Sequence, residues 1–334
     1  MDPDAEVDFD MSPFLVRYKS GRVHRLMGTS RVAAGEDATT GVTSKDVAID
    51  AGTGLAARLY IPTDALGVRG GHEPEKLPLL VYFHGGAFVV QSAFSGAHAP
   101  FLNALVSAAR VVAVSVDYRL APEHPVPAAY DDAWAALRWA VESCGAEVSS
   151  GQEPWLAAHG DAARVFVAGD SAGANIAHNV TLRAGGVGGG LPGSARIEGM
   201  VLLHPYFRGT ELVPSESAAA AWSLEKAEQL WGFICAGRYG IDHPFINPLV
   251  MPAPEWAALG CRRALVTVAE HDTLRDRGRR YVEALRGSAW AGEEAVLYET
   301  QGEDHVYFIH KSGSSGDKAA EEMAAVAAFI QRGR

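Results

Sequence analysis

The feature of this chain that most restricts its fold is a repeated alternation of short, apolar, β-rich runs with helical stretches. Three of the runs read LPLLVYF, VVAVSV and RVFVAG, and a helical stretch follows each of them. LLVYF and VVAVSV are apolar at consecutive positions, which is typical of parallel strands that are covered on both faces. The alternation continues along the chain and predicts a mostly parallel sheet of eight strands with helices on both faces.

Two segments of the chain depart from this alternation. Residues 1–43 show no convincing period, and we expect them to form an irregular arm that packs on the core. Residues 206–248 are rich in Trp, Tyr and Phe, and we expect a small cap insertion over the carboxyl edge of the sheet, where the active sites of such folds lie. One α/β domain over residues 1–334 is predicted to carry both additions.

Strand signals at Asp46–Asp50 and Leu55–Ile61 predict an edge hairpin.

The charge and the cysteine content argue against several classes of partner. A formal net charge of −11 at pH 7 repels phosphate backbones and anionic lipid, so neither nucleic acid nor a membrane is an expected partner. The three cysteines are far apart, which argues against a disulfide framework or a metal site and favours a reducing compartment. The N-terminus is acidic and no apolar run reaches about 18 residues, so neither a targeting peptide nor a membrane span is expected. We predict a cytoplasmic protein without metal or cofactor; its small size leaves the nucleus open, and the sequence favours no particular oligomeric state.

A short motif marks a candidate nucleophile. The segment Gly169–Gly173 reads GDSAG, follows the strand RVFVA and precedes a helix that begins at Ala172. Such a strand-to-helix turn holds its serine in a strained conformation with the hydroxyl exposed, and the helix N-terminus favours negative charge near Ser171. A glycine-rich chain can match G-x-S-x-G by chance, but the strand before and the helix after favour Ser171 as a nucleophile.

A second motif predicts an oxyanion hole. HGGAF at His84–Phe88 follows the strand LLVYF, in the position where lipases and esterases supply a backbone N–H donor. We expect the amides of Gly85 and Gly86 to act with that of Ala172, each donor contributing about 3 kcal/mol of transition-state stabilisation. Two glycines after a strand usually form only a turn, but their pairing with a candidate nucleophile favours the catalytic interpretation. His84 is expected to orient the loop rather than to transfer protons.

Chain order selects the base and the acid among the remaining candidates. In proteins with these two motifs the serine is followed by the acid and then by the histidine, each on a loop after a strand. Among the twelve histidines, His305 is preferred because it lies in GEDHVYF, between the strand AVLYE and the last helix. Asp272 follows the strand ALVTVA and is preferred as the acid, although it could also cap the helix that begins at Thr273. Glu270 is a weaker alternative, and Asp304 is too near His305 in sequence to orient it easily.

Longer motifs connect the chain with a known family. HGGAF, DYRLAPEHPVPAAYDD and GDSAGANIAHN, together with HPYF, VAEHDTLRDRG and GEDHVYF, resemble the plant carboxylesterases of the hormone-sensitive-lipase-like group, and the likeness spans nearly the whole chain. The resemblance implies an α/β-hydrolase fold with a small lid to which the N-terminal arm contributes. It also implies a catalytic triad of Ser171, Asp272 and His305 beside an oxyanion loop at Gly85 and Gly86.

The resemblance leaves three functions open. In the related gibberellin receptor the catalytic histidine is lost and the pocket only binds, whereas legume 2-hydroxyisoflavanone dehydratases carry threonine as the nucleophile. Both Ser171 and His305 are present here, which favours a serine carboxylesterase that hydrolyses small neutral esters, apolar or aromatic, through an acyl-enzyme intermediate. Because the base must be neutral, hydrolysis is predicted to fall below about pH 6.

Aromatic side chains near the predicted loops are candidates for the substrate pocket, although each could equally belong to the core. The candidates are Phe88, Tyr206, Trp222, Trp231 and Tyr307.

Overall fold

Twelve strands lie within the residues that the computed structural model describes, which are 3–67, 74–144, 152–186, 189–218, 223–310 and 315–332. In chain order they are β1 (Val7–Met11), β2 (Leu15–Tyr18), β3 (Val23–Arg25), β4 (Glu36–Asp37), β5 (Val42–Asp50), β6 (Leu55–Pro62), β7 (Leu77–Phe83), β8 (Val112–Asp117), β9 (Gly160–Asp170), β10 (Ile197–Leu203), β11 (Cys261–Ala269) and β12 (Glu294–Thr300).

The same described ranges contain ten α-helices. They are α1 (His98–Ala109), α2 (Ala128–Cys144), α3 (Pro154–His159), α4 (Ala172–Gly185), α5 (Pro214–Ser217), α6 (Leu224–Ile234), α7 (Ala253–Ala257), α8 (Arg275–Gly287), α9 (Tyr307–His310) and α10 (Ser315–Gln331). Of these described helices, none is long and apolar enough to cross a membrane.

The central sheet has the order β12-β11-β10-β9-β7-β8-β6-β5-β4. The six strands from β7 to β12 pair in parallel, which confirms the sheet that the alternation predicts. β5 and β6 form the predicted antiparallel hairpin, and β6 joins the parallel part by pairing antiparallel with β8. The sheet has one strand more than the eight predicted, because the two charged residues of β4 pair with β5 and no sequence pattern marks so short a strand.

The N-terminal arm is more regular than the sequence indicates. β1, β2 and β3 form a separate antiparallel sheet where an irregular arm is predicted. These strands have only three to five residues and mix apolar with charged side chains, so their pattern is too short to distinguish from a loop. Met11 and Leu15 are buried against the core, and an ion pair between Arg17 and Asp8 at 2.6 Å joins β2 to β1.

Both faces of the parallel strands are buried. In β7, Leu79, Val81 and Phe83 belong to the core shared with α2, α4 and α8. Leu80 and Tyr82 belong to the core on the opposite face, shared with α1 and α10. This double burial is the reason why β7 is apolar at almost every position.

The loops that carry the sequence motifs follow β7, β9, β11 and β12. These strands are parallel, and only β10 separates β9 from β11 in the sheet. The loops after them therefore emerge at one edge of the sheet, and motifs that are far apart in sequence become neighbours there.

The close packing of α4 on the sheet provides a test of the fold. A Cβ added at Gly173 would overlap the carbonyl oxygen of Phe83, whereas one added at Gly232 in α6 would meet no described heavy atom within 4 Å. We expect Gly173→Ala to lower the thermal unfolding midpoint strongly, because backbone cannot give way as a side chain can. Gly232→Ala should keep or raise the midpoint, since alanine is the better helix former by about 1 kcal/mol. Circular dichroism on heating measures both midpoints, and equal midpoints would contradict this packing.

Candidate active site

Ser171 occupies a sharp turn between β9 and α4. Its φ of 53° and ψ of −115° are unfavourable for a residue with a side chain. Two backbone hydrogen bonds hold the turn: the Ser171 N–H donates to the Leu203 carbonyl at 2.8 Å, and the Ser171 carbonyl accepts from the Tyr206 N–H at 3.0 Å. Glycine is required at Gly169 and Gly173, because a Cβ at either position would overlap backbone atoms. The turn leaves Ser171 at the wall of a cavity.

Ser171, His305 and Asp272 come together from three loops. Ser171 Oγ lies 2.9 Å from His305 Nε2, and His305 Nδ1 lies 2.6 Å from Asp272 Oδ2. With the proton of the neutral imidazole on Nδ1, His305 donates to the carboxylate and accepts from the serine hydroxyl. Asp272 Oδ1 accepts the N–H of Leu274 at 2.8 Å, so this aspartate also caps the turn that leads into α8.

Glu270 and Asp304, the two weaker candidates for the acid, lie elsewhere in the site. Glu270 Oε2 accepts the N–H of Gly302 at 2.7 Å and thereby braces the loop before His305. Asp304 lies at the wall of the cavity. Of the three carboxylates, Asp272 is the one that hydrogen-bonds the His305 ring.

Electrostatics favour an ion pair between His305 and Asp272. Burial by itself lowers the pKa of His305, but the Asp272 carboxylate beside its Nδ1 outweighs burial and raises the pKa above the ordinary 6.5. Burial alone would raise the pKa of Asp272, and the same contact with His305 holds it below its usual value. Asp272 is therefore an anion at neutral pH and stabilises a positive charge on His305.

The loop after β7 contradicts one expectation from the sequence. The N–H of Gly85 donates to Asp170 Oδ1 at 2.9 Å, so this amide is already occupied. Gly86 and Ala87 line the cavity with Ser171 and have positive φ values of 109° and 52°. Among the described residues, neither of these two amides has a protein acceptor. The sequence does not indicate Ala87, because the conformation of the loop decides which amides stay unoccupied.

Asp170 anchors the loop after β7 to the end of β9. Its carboxylate accepts hydrogen bonds from the Tyr82 hydroxyl at 2.6 Å and from the Gly85 amide, and it lies 3.2 Å from His98 Nε2. Burial alone would raise the pKa of Asp170, but His98 and the Tyr82 hydrogen bond lower it to about 2. A buried anion thus holds the HGGAF loop beside Ser171.

His84 has an orienting position in the same loop. Its Nδ1 lies 2.7 Å from the Gly85 carbonyl, and its ring stacks on that of Tyr118, whose hydroxyl donates to the His84 carbonyl at 2.7 Å. Burial lowers the pKa of His84 to about 3, so the ring is neutral. These contacts fit the orienting role that the sequence predicts for His84.

The cavity beside Ser171 has a volume of about 440 Å³. Its wall is mostly apolar and is built from the N-terminal arm, from α6 and from the loops around Ser171, Asp272 and His305. The apolar lining residues include Pro13, Phe14, Met27, Val90, Leu230, Leu274, Val306 and Ile309. The sequence motifs do not indicate this apolar wall. The small apolar cluster of Phe9, Met11, Phe14 and Leu15 in the arm was the signal that could have indicated it.

The five aromatic residues predicted to line the pocket lie in different places. Tyr206 lines the cavity. Phe88 and Trp231 do not, because they pack edge to face with each other in the core, each 1% exposed. Tyr307 is equally buried, and its hydroxyl donates to the carboxylate of Glu322 at 2.9 Å. The expectation is therefore wrong for these three rings, and Trp222 lies outside the described residues.

His204, Asp272 and His305 place ligand-type atoms within 4.8 Å of one another. Both ring nitrogens of His305 are engaged by Ser171 and Asp272. His204 Nδ1 accepts the N–H of Val306 at 2.9 Å. Both ring nitrogens of His305 and Nδ1 of His204 thus already take part in hydrogen bonds. The cluster therefore fits a hydrogen-bonded network better than a metal site.

Comparisons with known proteins agree with this fold. A family model described as alpha/beta hydrolase fold matches residues 80–309. The chain is similar to a 2-hydroxyisoflavanone dehydratase of Glycyrrhiza echinata, with 42% identity over 97% of this chain and 96% of that protein. It is also similar to probable carboxylesterase 13 of Arabidopsis thaliana, with 41% identity over 98% and 99% of the two chains. Tuliposide A-converting enzyme 1, chloroplastic, of Tulipa gesneriana is 42% identical over 98% of this chain and 79% of that protein.

Solved structures of esterases have the same architecture. A hyperthermophilic esterase from Pyrobaculum calidifontis superposes with a TM-score of 0.65 and 26% identity, over 86% of this chain and 85% of that one. A thermostable carboxylesterase cloned from a metagenomic library gives a TM-score of 0.65 and 27% identity, over 86% and 87%.

The protonation of His305 can be measured directly by NMR of its ring. In the wild type we expect a pKa above 6.5, because Asp272 stabilises the charged ring. In Asp272→Asn the carboxylate charge is lost while burial remains, so the pKa of His305 should move downward. His178 is an internal control, since burial lowers its pKa to about 3 and it should stay neutral in both proteins. An unchanged or higher His305 pKa in the variant would contradict this account.

Proposed function

The chain belongs to the α/β-hydrolase fold family, and on that premise we propose that it is a serine carboxylesterase acting on small neutral esters. One observation carries the proposal: Ser171 Oγ, His305 and Asp272 form a hydrogen-bonded series, with distances of 2.9 Å and 2.6 Å, beside a mostly apolar cavity. These groups have the positions of a nucleophile, its general base and the acid that orients the base.

In the first half of the reaction, His305 Nε2 takes the hydroxyl proton of Ser171 while Oγ attacks the ester carbonyl carbon. We assign the oxyanion hole to the amides of Gly86, Ala87 and Ala172, a set that differs from the sequence prediction by one residue. Because Ala172 opens α4, the helix N-terminus also favours the negative oxygen. His305 then gives its proton to the leaving alcohol oxygen, and the acyl group stays on Ser171.

Water completes the reaction in the second half. His305 Nε2 takes a proton from water as the water oxygen attacks the acyl carbon. The tetrahedral intermediate then collapses, the bond from the acyl carbon to Ser171 Oγ breaks, and His305 returns the proton to Oγ. The product is a carboxylic acid, and Asp272 keeps the ring of His305 oriented in both halves.

The cavity favours uncharged substrates. About 440 Å³ with a mostly apolar wall suits a small ester with an apolar or aromatic part. The lining includes three aspartates, Asp170, Asp272 and Asp304. It also includes Arg208, whose guanidinium pairs with the carboxylate of Glu216 at 2.8 Å. A substrate that carries its own carboxylate would meet net negative charge, so neutral esters are expected to react faster.

We assign the lid to residues 1–43 and 206–248, within one domain that spans residues 1–334. The ring of Phe9 in the arm stacks on that of Phe233 in α6, with 4.3 Å between their centroids. The second segment is tied to α8 by a buried ion pair between Glu216 and Arg277 at 2.9 Å. The arm thereby contacts the second lid segment, and the second segment is anchored on α8.

Dehydration of a 2-hydroxyisoflavanone is the second candidate function, because the chain is 42% identical to a protein with that name. A small-molecule binding protein of the gibberellin-receptor type is the third. Incubation with a 2-hydroxyisoflavanone, with isoflavone formation as the readout, distinguishes the dehydratase. Ligand binding without turnover of any ester would favour the binding protein.

A cytoplasmic location is part of the proposal. Cys144, Cys235 and Cys261 are free and buried, as a reducing compartment permits. The tulip relatives carry chloroplastic or amyloplastic in their names. Microscopy of a fluorescent fusion to the full chain distinguishes the cytoplasm from plastids.

The nucleophile can be tested with 4-nitrophenyl butyrate. We expect Ser171→Ala to lower kcat by about 10⁴-fold or more, because no acyl-enzyme can form. A stoichiometric burst of nitrophenol before the steady state should accompany wild-type turnover and be missing from the variant. Turnover that survives the substitution would overturn the esterase proposal.

The pH dependence follows from the protonation of His305. Only the neutral ring accepts the serine proton, and its pKa lies above 6.5, so kcat/KM should fall as the pH decreases through that higher value. The loss of kcat/KM should therefore begin at a higher pH than the limit of about pH 6 that the sequence predicts. A profile of kcat/KM that stays flat down to pH 5 would exclude His305 as the base.

The wall that the arm contributes can be tested with a matched pair of variants. Phe14 lines the cavity, whereas Val7 in β1 is 51% exposed and does not. Phe14→Ala should raise KM for 4-nitrophenyl butyrate with a smaller effect on kcat, since it removes apolar contact with the substrate. Val7→Ala should leave both constants unchanged. Equal effects of the two substitutions would argue against a binding role of the arm.

A further inference from the structure

A buried carboxylate on the last helix lies behind His305. Glu322 in α10 is 2% exposed, and it accepts hydrogen bonds from Thr300 Oγ1 at 3.0 Å and from the Tyr307 hydroxyl at 2.9 Å. Thr300 ends β12 and Tyr307 begins α9, so these bonds hold both ends of the loop that carries His305. Burial alone would raise the pKa of Glu322, but His204 and the hydrogen bonds keep it below its usual value. Glu322 is therefore a buried anion.

The other oxygen of Glu322 faces a second histidine. Oε1 lies 3.4 Å from Nε2 of His204, which follows β10 and is completely buried. Within the described residues neither of these two atoms makes a hydrogen bond, so the contact between them is electrostatic. The opposite ring nitrogen, Nδ1, accepts the N–H of Val306 at 2.9 Å. A nitrogen of neutral imidazole that accepts a hydrogen bond carries no proton, so the proton of His204 lies on Nε2, toward Glu322.

The hydrogen bond from Val306 fixes the backbone directly after His305. Val306 has a φ of 45°, which a residue with a branched side chain rarely adopts. Such a conformation persists only where neighbouring groups hold it, and His204 Nδ1 accepts the amide of this residue. The tautomer of His204 is thus coupled to the position of His305.

The tautomer of His204 with its proton on Nε2 also leaves Asp272 free to accept the hydrogen bond from His305. His204 Nδ1 lies 3.8 Å from Asp272 Oδ2, the oxygen that accepts from His305 Nδ1. A proton on His204 Nδ1 would face that oxygen and would compete with His305 for it. The proton would also collide with the N–H of Val306. A carboxylate beside Nε2 prevents both effects, because it stabilises the tautomer with a bare Nδ1.

From these contacts we infer that Glu322 is a positioning residue for His305, which it orients by holding the proton of His204 on Nε2. The inference rests on the proposed role of His305 as the general base. Glu322 does not line the cavity, so it acts on the base and not on the substrate. Its loss should lower kcat and leave KM unchanged.

Three variants of α10 test the inference with 4-nitrophenyl butyrate. Glu322→Met keeps the size of the side chain and removes the acceptor, and we expect kcat to fall by about 10- to 100-fold. Glu322→Gln should restore most of the activity, because its amide oxygen can accept the Nε2 proton while its NH₂ group faces the two hydroxyls. Glu321→Met is the matched control: Glu321 is the exposed neighbour on the same helix and should keep wild-type activity.

The outcomes separate a positioning role from a structural one. Loss of kcat in Glu322→Met at unchanged KM, with rescue by Glu322→Gln, would support the inference. Wild-type kcat in Glu322→Met would overturn it, and so would equal losses in the methionine and glutamine variants. Thermal midpoints measured in parallel show whether lost activity reflects unfolding instead.

A measurement on the wild-type protein keeps the inference testable if Glu322→Met does not fold. The ¹⁵N shifts of the His204 ring report which nitrogen carries the proton. We expect a protonated Nε2 and a bare Nδ1 near neutral pH, and the reverse tautomer would overturn the inference. This measurement does not depend on turnover. If the protein hydrolyses no ester, the proposed function is overturned, but the tautomer of His204 can still be determined.

Discussion

The site depends on the close approach of α4 to the ends of β7 and β9. At Gly169 and Gly173 backbone segments contact each other with no side chain between them. This contact places the strained turn of Ser171 beside the loop that follows β7. A side chain at either glycine would force these segments apart. The distance between the serine hydroxyl and the neighbouring amides is therefore set by backbone packing, which is stiffer than side-chain packing.

Three buried carboxylates then fix the loops around this turn. Asp170 holds the loop after β7, Asp272 orients His305, and Glu322 holds both ends of the loop after β12. A buried charge is costly unless several donors surround it, and each of these anions has at least two. The loops at the edge of the sheet are thus held by charge and hydrogen bonds where they lack regular secondary structure.

Local patterns in the sequence predicted the sheet and much of the candidate site. The parallel strands are apolar throughout because both faces are covered, and such a run is readable without knowledge of its neighbours. Chain order placed Ser171, Asp272 and His305 on loops that the structure brings within hydrogen-bonding distance. The strands of the N-terminal arm were harder to predict, because three to five residues are too few to establish a period.

The sequence by itself determined the order of the strands from β5 to β12 and the residue types at the edge of the sheet, because these depend on neighbours along the chain. Only the tertiary structure decided that the Gly85 amide is taken by Asp170, that Phe88 and Trp231 turn into the core, and that Phe14 reaches the cavity. Each of these outcomes depends on the direction in which a group points toward a distant segment. A one-dimensional pattern identifies the group but not its direction, which is fixed only when the segments pack.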